Sequence, residues 1–232
     1  MTNVEFSNEF ETLIQAQIHQ HDFGTENILE FDEYEKSMFL TKAQEQLVVE
    51  LYTGKGPVEG FEQSEEARRY LFPLVAHAEY EPRKINDSMI SDDSYAVTLD
   101  EKVMFILFEQ ATFDDESLGC KNGLRVEVYP IEHDAIHTAL ANPFRTTNDH
   151  RVLRVDSNIG ERIIELISKY NISKYRIRFL TKPTPIILTD LGDLSIDGVS
   201  KKSECSLSPI LHRTILEKAV RLALQSKSIK MD

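Results

Sequence analysis

His133 and His137 stand four residues apart, the spacing that puts two imidazoles on one helix face, where they can hold a zinc ion. Glu132 and Cys120 are on offer as further ligands. Two histidines without a fixed third ligand do not define a metal site, so polar surface or loop packing is the expected role. Asp92-Asp93 and Asp114-Asp115-Glu116 are clustered carboxylates of the type that holds two metal ions in nucleases. They lie in stretches that read as loops, with no lysine in a catalytic pattern, and are expected to be solvated acids. Thr53-Gly54-Lys55-Gly56 has the residue types of a phosphate loop but not its spacing. That loop needs two glycines around four residues, then Lys and Ser or Thr, between a strand and a helix. Here the segment trails a helix and reads as its stop. Gly-x-Ser-x-Gly, Gly-x-Gly-x-x-Gly and Cys-x-x-Cys are all absent from the sequence. The expectation is a binding, scaffolding or structural protein, with no catalytic residue, no cofactor and no metal.

The polar pattern with most to offer is Lys174, Arg176 and Arg178. Tyr175-Arg176-Ile177-Arg178-Phe179 alternates as a strand does, so aromatic and aliphatic residues share one face and the cations line the other, about 7 Å apart. Such a row is either a solubilising face or a contact stripe for an acidic neighbour. An acidic partner is available in the chain itself. Residues 1–100 hold 7 Lys and Arg against 21 Asp and Glu, whereas the remaining residues hold 19 against 18. With a net charge of −13, the chain is a poor candidate for wrapping nucleic acid, which needs concentrated cations. It suits a protein that stays soluble until it meets a more basic surface. A solvated acidic exterior is the competing reading.

These residues need elements to position them. Phe6, Phe10, Leu13, Ile14 and Ile18 recur at helical spacing, with Ser7 near the start as a cap. After a break at Gly24, Asp32 caps a longer helix with Leu40, Ala43, Leu47, Val48 and Leu51 as its stripe, stopped by Gly54 and Gly56-Pro57. A third helix runs from about Ser64 through Ala67, Tyr70, Leu71, Leu74 and Val75, and Glu79 to Ser94 reads as a loop. The period then changes. Tyr95, Val97 and Leu99, the block Val103–Phe108, and Leu124, Val126 and Val128 read as antiparallel strands. A short helix over Asp134–Ala141 ends at Asn142-Pro143. Arg151–Val155 reads as a strand, Glu161–Lys169 as a helix and Ile186-Ile187-Leu188 as an edge strand beside Pro183 and Pro185. Ser208-Pro209 opens a terminal helix with Leu211, Ile215, Ala219 and Leu222 as its buried stripe. The class is α+β: one domain over 1–232, helical over about 5–80 and 205–227, with a strand-rich antiparallel insertion over about 94–190.

Composition agrees with a soluble globular chain, 41% of its 232 residues being apolar. Its longest apolar block, Val103–Phe108, is far short of the ~18 residues of a spanning helix. Met1-Thr2-Asn3-Val4-Glu5 lacks the basic and apolar regions of a signal peptide, so synthesis in a cytoplasm is expected. Cys120 and Cys205 are too few for a disulfide framework and are expected to be reduced and packed.

Several stretches together carry a resemblance. Phe31-Asp32-Glu33-Tyr34-Glu35-Lys36-Ser37, running into Phe39-Leu40-Thr41-Lys42-Ala43-Gln44, resembles the N-terminal signature of virion adaptor proteins of the crAss-like bacteriophages of Bacteroides. Phe61 through Glu66-Ala67-Arg68-Arg69-Tyr70-Leu71 does so too. Leu118–Gly123, Val128–Asp134, Asn142-Pro143-Phe144-Arg145 and Arg151-Val152-Leu153-Arg154 are similar to the core of that family. Tyr175–Arg178, Pro183–Leu188 and Leu207–His212 resemble a wider class of head-to-tail adaptors, in which a Pro-containing strand precedes a terminal helix. The likeness spans roughly residues 5–225. It implies a virion ring protein at the head-to-tail junction, made in the host cytoplasm, the first ring under the portal and present in about twelve copies. Its implied partners are the portal, the next tail or ring protein and further copies of itself, with genome DNA passing through the channel and no membrane involved. No catalytic residue comes with the family. The rival readings are a phage binding or assembly module absent from the particle, and a metal-dependent nuclease or hydrolase.

Overall fold

Asp32 shows how local sequence fixes the helices. Its carboxylate accepts from Glu35 N while the Glu35 side chain accepts from Asp32 N, a reciprocal capping box. The computed structural model describes residues 1–20, 30–55, 60–158 and 162–228. Gly24, Gly56-Pro57 and Glu161 lie outside the described residues, as does the side chain of Ile18. The elements run α1 (Asn3–Gln20), α2 (Glu33–Thr53), α3 (Glu65–Leu71), β1 (Val75–Tyr80), β2 (Arg83–Lys84), β3 (Ser94–Thr98), β4 (Val103–Phe113), β5 (Arg125–Pro130), α4 (Ile136–Ala141), β6 (Arg151–Asn158), β7 (Ile163–Ile167), β8 (Ile172–Thr181) and α5 (His212–Ser228). The order is α+β. It sorts into a helical unit, Met1–Leu74 with Lys182–Asp232, and a sheet unit, Val75–Thr181.

In the helical unit Phe6, Phe10 and Ile14 of α1 are buried, as are Leu40, Ala43, Leu47, Val48 and Leu51 of α2. Ser7 is not the cap of α1. Thr2 and Glu5 cap it by exchanging backbone-to-side-chain bonds of 2.6 and 3.3 Å, which leaves the Ser7 hydroxyl to donate to Glu33 across to α2. There Lys36, almost fully buried, donates to Ser7, Glu11 and Glu33, so its charge is matched where water cannot solvate it. Gly54 ends α2 in the left-handed region at φ 69°, where a Cβ is costly. Ser64 caps α3, which ends at Leu71 ahead of Pro73; Val75 then opens a strand inside the stretch expected to be helical. A 3₁₀ turn at Pro209–Leu211 leads into α5. The buried stripe of α5 is Ile215, Leu216, Ala219, Val220 and Ala223, while Leu222 is only half-buried.

Ile186-Ile187-Leu188 is buried but is not the edge strand expected of it. Among the described residues Ile187 makes a lone antiparallel bridge with Ser203, and the flanking backbone bonds go to helix side chains: Ile186 N donates to Thr41 Oγ1 at 3.1 Å and Leu188 N to Ser37 Oγ at 3.1 Å. Gln44 donates to Thr184 O at 2.8 Å and Asn3 to Ile187 O at 2.7 Å. Ser37, Thr41 and Gln44 recur at i, i+4 and i+7, so one buried polar stripe of α2, together with the bridge to Ser203, stands in for a neighbouring strand.

The sheet unit is one eight-stranded sheet in the order β1-β8-β4-β5-β6-β7-β3-β2. All neighbours are antiparallel except β5 and β6, whose connection through α4 makes a crossover. Val126 and Val128 of β5, Val152 of β6 and Tyr175, Ile177 and Phe179 of β8 form one apolar cluster. Ala76 and Ala78 of β1 and Tyr95 and Val97 of β3 join it from opposite sides of the strand order, so the sheet curls around that core. On the other face Ile136 of α4 packs on Leu153, Val155 and Ile167. The helix expected over Glu161–Lys169 is the strand β7. Its Ile163, Ile164, Leu166 and Ile167 supply both sheet faces, a demand that mimics helical spacing. The stretch read as a loop from Glu79 to Ser94 contains the end of β1 and all of β2.

Candidate functional site

The core face of the sheet holds a buried charge pair. Glu109 on β4 shares the parity of Ala111 and Phe113, which turns its side chain inward, and it is 7% exposed. Arg154 on β6 donates to Glu109 Oε1 at 2.8 Å, and the hydroxyl of the fully buried Tyr175 on β8 donates to Oε2 at 2.6 Å. Asp156 lies 3.5 Å from Arg154 Nε. Burial holds the Glu109 pKa above its ordinary value despite Arg154, and burial together with Glu109 pushes the Tyr175 phenol far up. The three groups are therefore a neutral-hydroxyl, carboxylate and guanidinium set that ties β4, β6 and β8 together. Sequence reasoning missed it. The available signal was a glutamate at a core-facing parity in an apolar strand.

The outward face of β8 carries the expected stripe, in altered form. Lys174 Nζ and Arg176 Nε both donate to Glu79 on β1 at 2.6 Å, across the register pair Glu79↔Arg176. These two bonds hold the Glu79 carboxylate below its usual pKa. Arg178 has no ion-pair partner among the described residues and sits opposite Phe108, which is 46% exposed. The stripe thus divides into two cations that share one carboxylate and one free arginine beside an aromatic. The block Val103–Phe108, a strand as expected, is buried only in part.

A second outward feature lies beyond β5. The Arg151 guanidinium stacks over the Tyr129 ring at 4.9 Å, and Arg151 Nη1 donates to Phe144 O at 2.7 Å. Phe144 N donates to Asn142 Oδ1 at 2.9 Å; Arg145 N and Thr146 N donate to Asn142 O at 3.0 and 2.9 Å. The turn is pinned, yet Phe144 is 88% exposed.

The helical unit has a cleft of about 430 Å³ between α2, α3 and α5, with Leu47, Leu51, Tyr70 and Leu211 in its lining and Ile210, 69% exposed, at its lip. The remaining sequence candidates stay apart. His133 precedes α4 and contacts Asp156 O at 2.6 Å, whereas His137 is within α4. Among the described residues no cluster of three or more His, Cys, Asp or Glu is arranged to hold a metal. Asp115 caps the turn after β4 by accepting from Ser117, and Asn171 N also donates to it. Cys120 is exposed, not packed; Cys205 is partly buried, 3.2 Å from Gln44 Oε1. No helix among the described residues is long and apolar enough to cross a membrane.

Phe108, Tyr129 and Phe144 stand exposed on the sheet unit, each beside an arginine. The chain belongs to a family of phage tail ring proteins: the family model described as phage tail ring protein 3/4 of crAss-like phages matches residues 1–232. It is 46% identical over 231 residues to Ring protein 3 of Bacteroides phage crAss001, an alignment covering 98% of this chain and 97% of that one. It is also 30% identical over 236 residues to Ring protein 4/5 of the same phage, covering 94% and 90%. The chain is a virion ring structural protein of a bacteriophage.

Proposed function

We propose that the chain is a subunit of a cyclic connector ring, joined to the portal or to an adjoining ring and lining the passage through which genome DNA leaves. The observation behind this reading is the match along the whole chain to a family named for tail rings. The numbers in the relatives' names, 3 and 4/5, favour a layer other than the first ring under the portal. No step of bond chemistry is assigned to it; its mechanism is geometric. Copies related by rotation repeat one head-to-tail contact, so each subunit needs two different patches that fit one another. Repetition closes a ring without fixing its number; about twelve copies is what the resemblance to head-to-tail adaptors implies. The net charge of −13 suits a channel wall, because an acidic surface repels phosphate and leaves DNA free to slide.

Arg178, beside Phe108, is the member of the Lys174, Arg176 and Arg178 stripe that faces a neighbour, since Glu79 occupies the other two. The experiment is to purify particles, count copies of this chain by quantitative mass spectrometry and locate it in a cryo-EM map. Rings at the head-to-tail junction support the reading. Absence from the particle rejects it in favour of a non-virion assembly module.

A further inference from the structure

We propose that Phe144 is the knob, and the α2–α3–α5 cleft the socket, of the head-to-tail contact between neighbouring copies of this chain. The inference rests on the ring reading above and gives that ring its two unlike patches. The first observation is the pinned turn. Single exposed apolar side chains are ordinary on protein surfaces, and exposure alone would carry nothing. Here four hydrogen bonds, one from Arg151 and three centred on Asn142, fix the backbone that holds Phe144 out. Pro143 restricts it further. A backbone already held in its bound position loses little freedom on docking, so only the phenyl rotamer has to be ordered for the anchor to seat.

The second observation is the fit. An apolar cavity of about 150 Å³ accepts a benzene ring. The cleft of about 430 Å³ therefore takes a phenyl group with room for the residues beside it. Leu47, Leu51 and Leu211 supply apolar walls, and docking covers the exposed Ile210.

The third is charge. Phe144 is followed by Arg145, exposed and without an ion pair among the described residues, and Arg151 lies behind it. The charged lining of the cleft is Glu50, Glu66 and Glu217 against Lys218 and Arg221, and Glu50 holds Lys218 at 2.7 Å. The helical unit around it holds 21 acids against 13 bases. Both units are acidic overall, the sheet unit with 18 acids against 13 bases, so it is the local meeting of Arg145 with the excess acid of the cleft lining that is attractive. Two knobs meeting are not, and that favours a repeating contact over a symmetric pair.

The test uses the full-length chain and two substitutions at exposed positions, Phe144→Glu to spoil the knob and Thr214→Trp to fill the cleft. Both variants should keep the wild-type circular dichroism spectrum and melting temperature. Wild type should form oligomers in sedimentation velocity runs, and each variant alone should associate about thirtyfold or more weakly. An equal mixture should give 1:1 dimers that grow no further, because one good knob and one good cleft remain. Oligomers of wild-type size from either variant, a mixture that stays monomeric, or wild type that remains monomeric at millimolar concentration would each overturn the proposal. So would a Phe144→Glu ring that closes normally but fails to bind an adjoining ring. None of these touches the ring reading, which the copy count in purified particles decides by itself.

Discussion

Replacing Arg154 by methionine removes the cation but keeps most of the packed volume, and leaves Glu109 buried with Tyr175 as its remaining hydrogen-bond partner. Breaking one side of a buried pair costs about 3–5 kcal/mol. Against a total stability on the order of 5–15 kcal/mol, that is a large fraction. With a urea dependence of about 2 kcal/mol per molar, the unfolding midpoint should fall by roughly 2 M. The penalty has a ceiling, because Glu109 can escape by taking a proton, at about 1.4 kcal/mol for each unit by which pH exceeds its native pKa. Burial already raises that pKa above the unfolded value of 4.5, so the native state binds this proton more tightly than the unfolded chain does. The stability linked to it is fully present below pH 4.5 and is lost as pH rises through the native pKa. Losing Arg154 raises the native pKa further, so the deficit of Arg154→Met should be larger at pH 7.5 than at pH 5. Adding Glu109→Gln should restore most of it. Urea titrations followed by far-ultraviolet circular dichroism at both pH values measure each quantity. A wild-type midpoint for Arg154→Met at pH 7.5, or no rescue by Glu109→Gln, would refute the electrostatic account of this core.

Three further outcomes follow from the helical unit. Thr41→Val removes the acceptor for Ile186 N while keeping the side-chain shape, and should cost about 1–3 kcal/mol in denaturant titrations. His212 is buried, and burial holds its pKa below 6.5, so the unfolded chain takes up a proton before the native state does. Stability should therefore fall as pH drops below 6.5 towards the native pKa, and His212→Asn should flatten that part of the melting-temperature profile between pH 7.5 and 5. Ile215→Asp puts a charge at a fully buried position of α5 and should lower the melting temperature by more than 10 °C, an effect that circular dichroism reads directly.

Signals confined to a few residues were legible. Asp32 and Ser64 announce α2 and α3 because a cap acts within one turn, and the alternation of Tyr175–Phe179 announces β8 because pleating acts between neighbours. What depends on register was not. Glu109, Arg154 and Tyr175 meet only because β4, β5, β6 and β8 pair in a particular alignment, and nothing local encodes that alignment. The stripe of Lys174, Arg176 and Arg178 was legible as a row, but its capture by Glu79 required knowing that β1 lies beside β8. Ile163–Ile167 misled because a strand buried on both faces has no polar side to reveal its period. Ile186–Leu188 misled in the opposite sense: apolar and Pro-flanked, it looks like a strand edge, whereas among the described residues it makes only a single bridge, at Ile187, and Ser37 and Thr41 take the backbone on either side of it.

The pairing of Val75 with Leu180 brings the chain's exit from the helical unit and its return to within one strand spacing, roughly 5 Å. The two thresholds of the excursion, Val75 and Leu180, are thus as close as the closing pair of a hairpin. To the helical unit, a hundred-residue excursion costs about as much closure entropy as a short loop, since the β1–β8 ladder holds the two ends together. A graft that keeps Val75–Tyr80 and Ile172–Thr181 as the frame leaves both thresholds in place. The strands between them can then be exchanged while the two ends stay at one strand spacing, provided the newcomers still give Tyr175 a buried partner in place of Glu109.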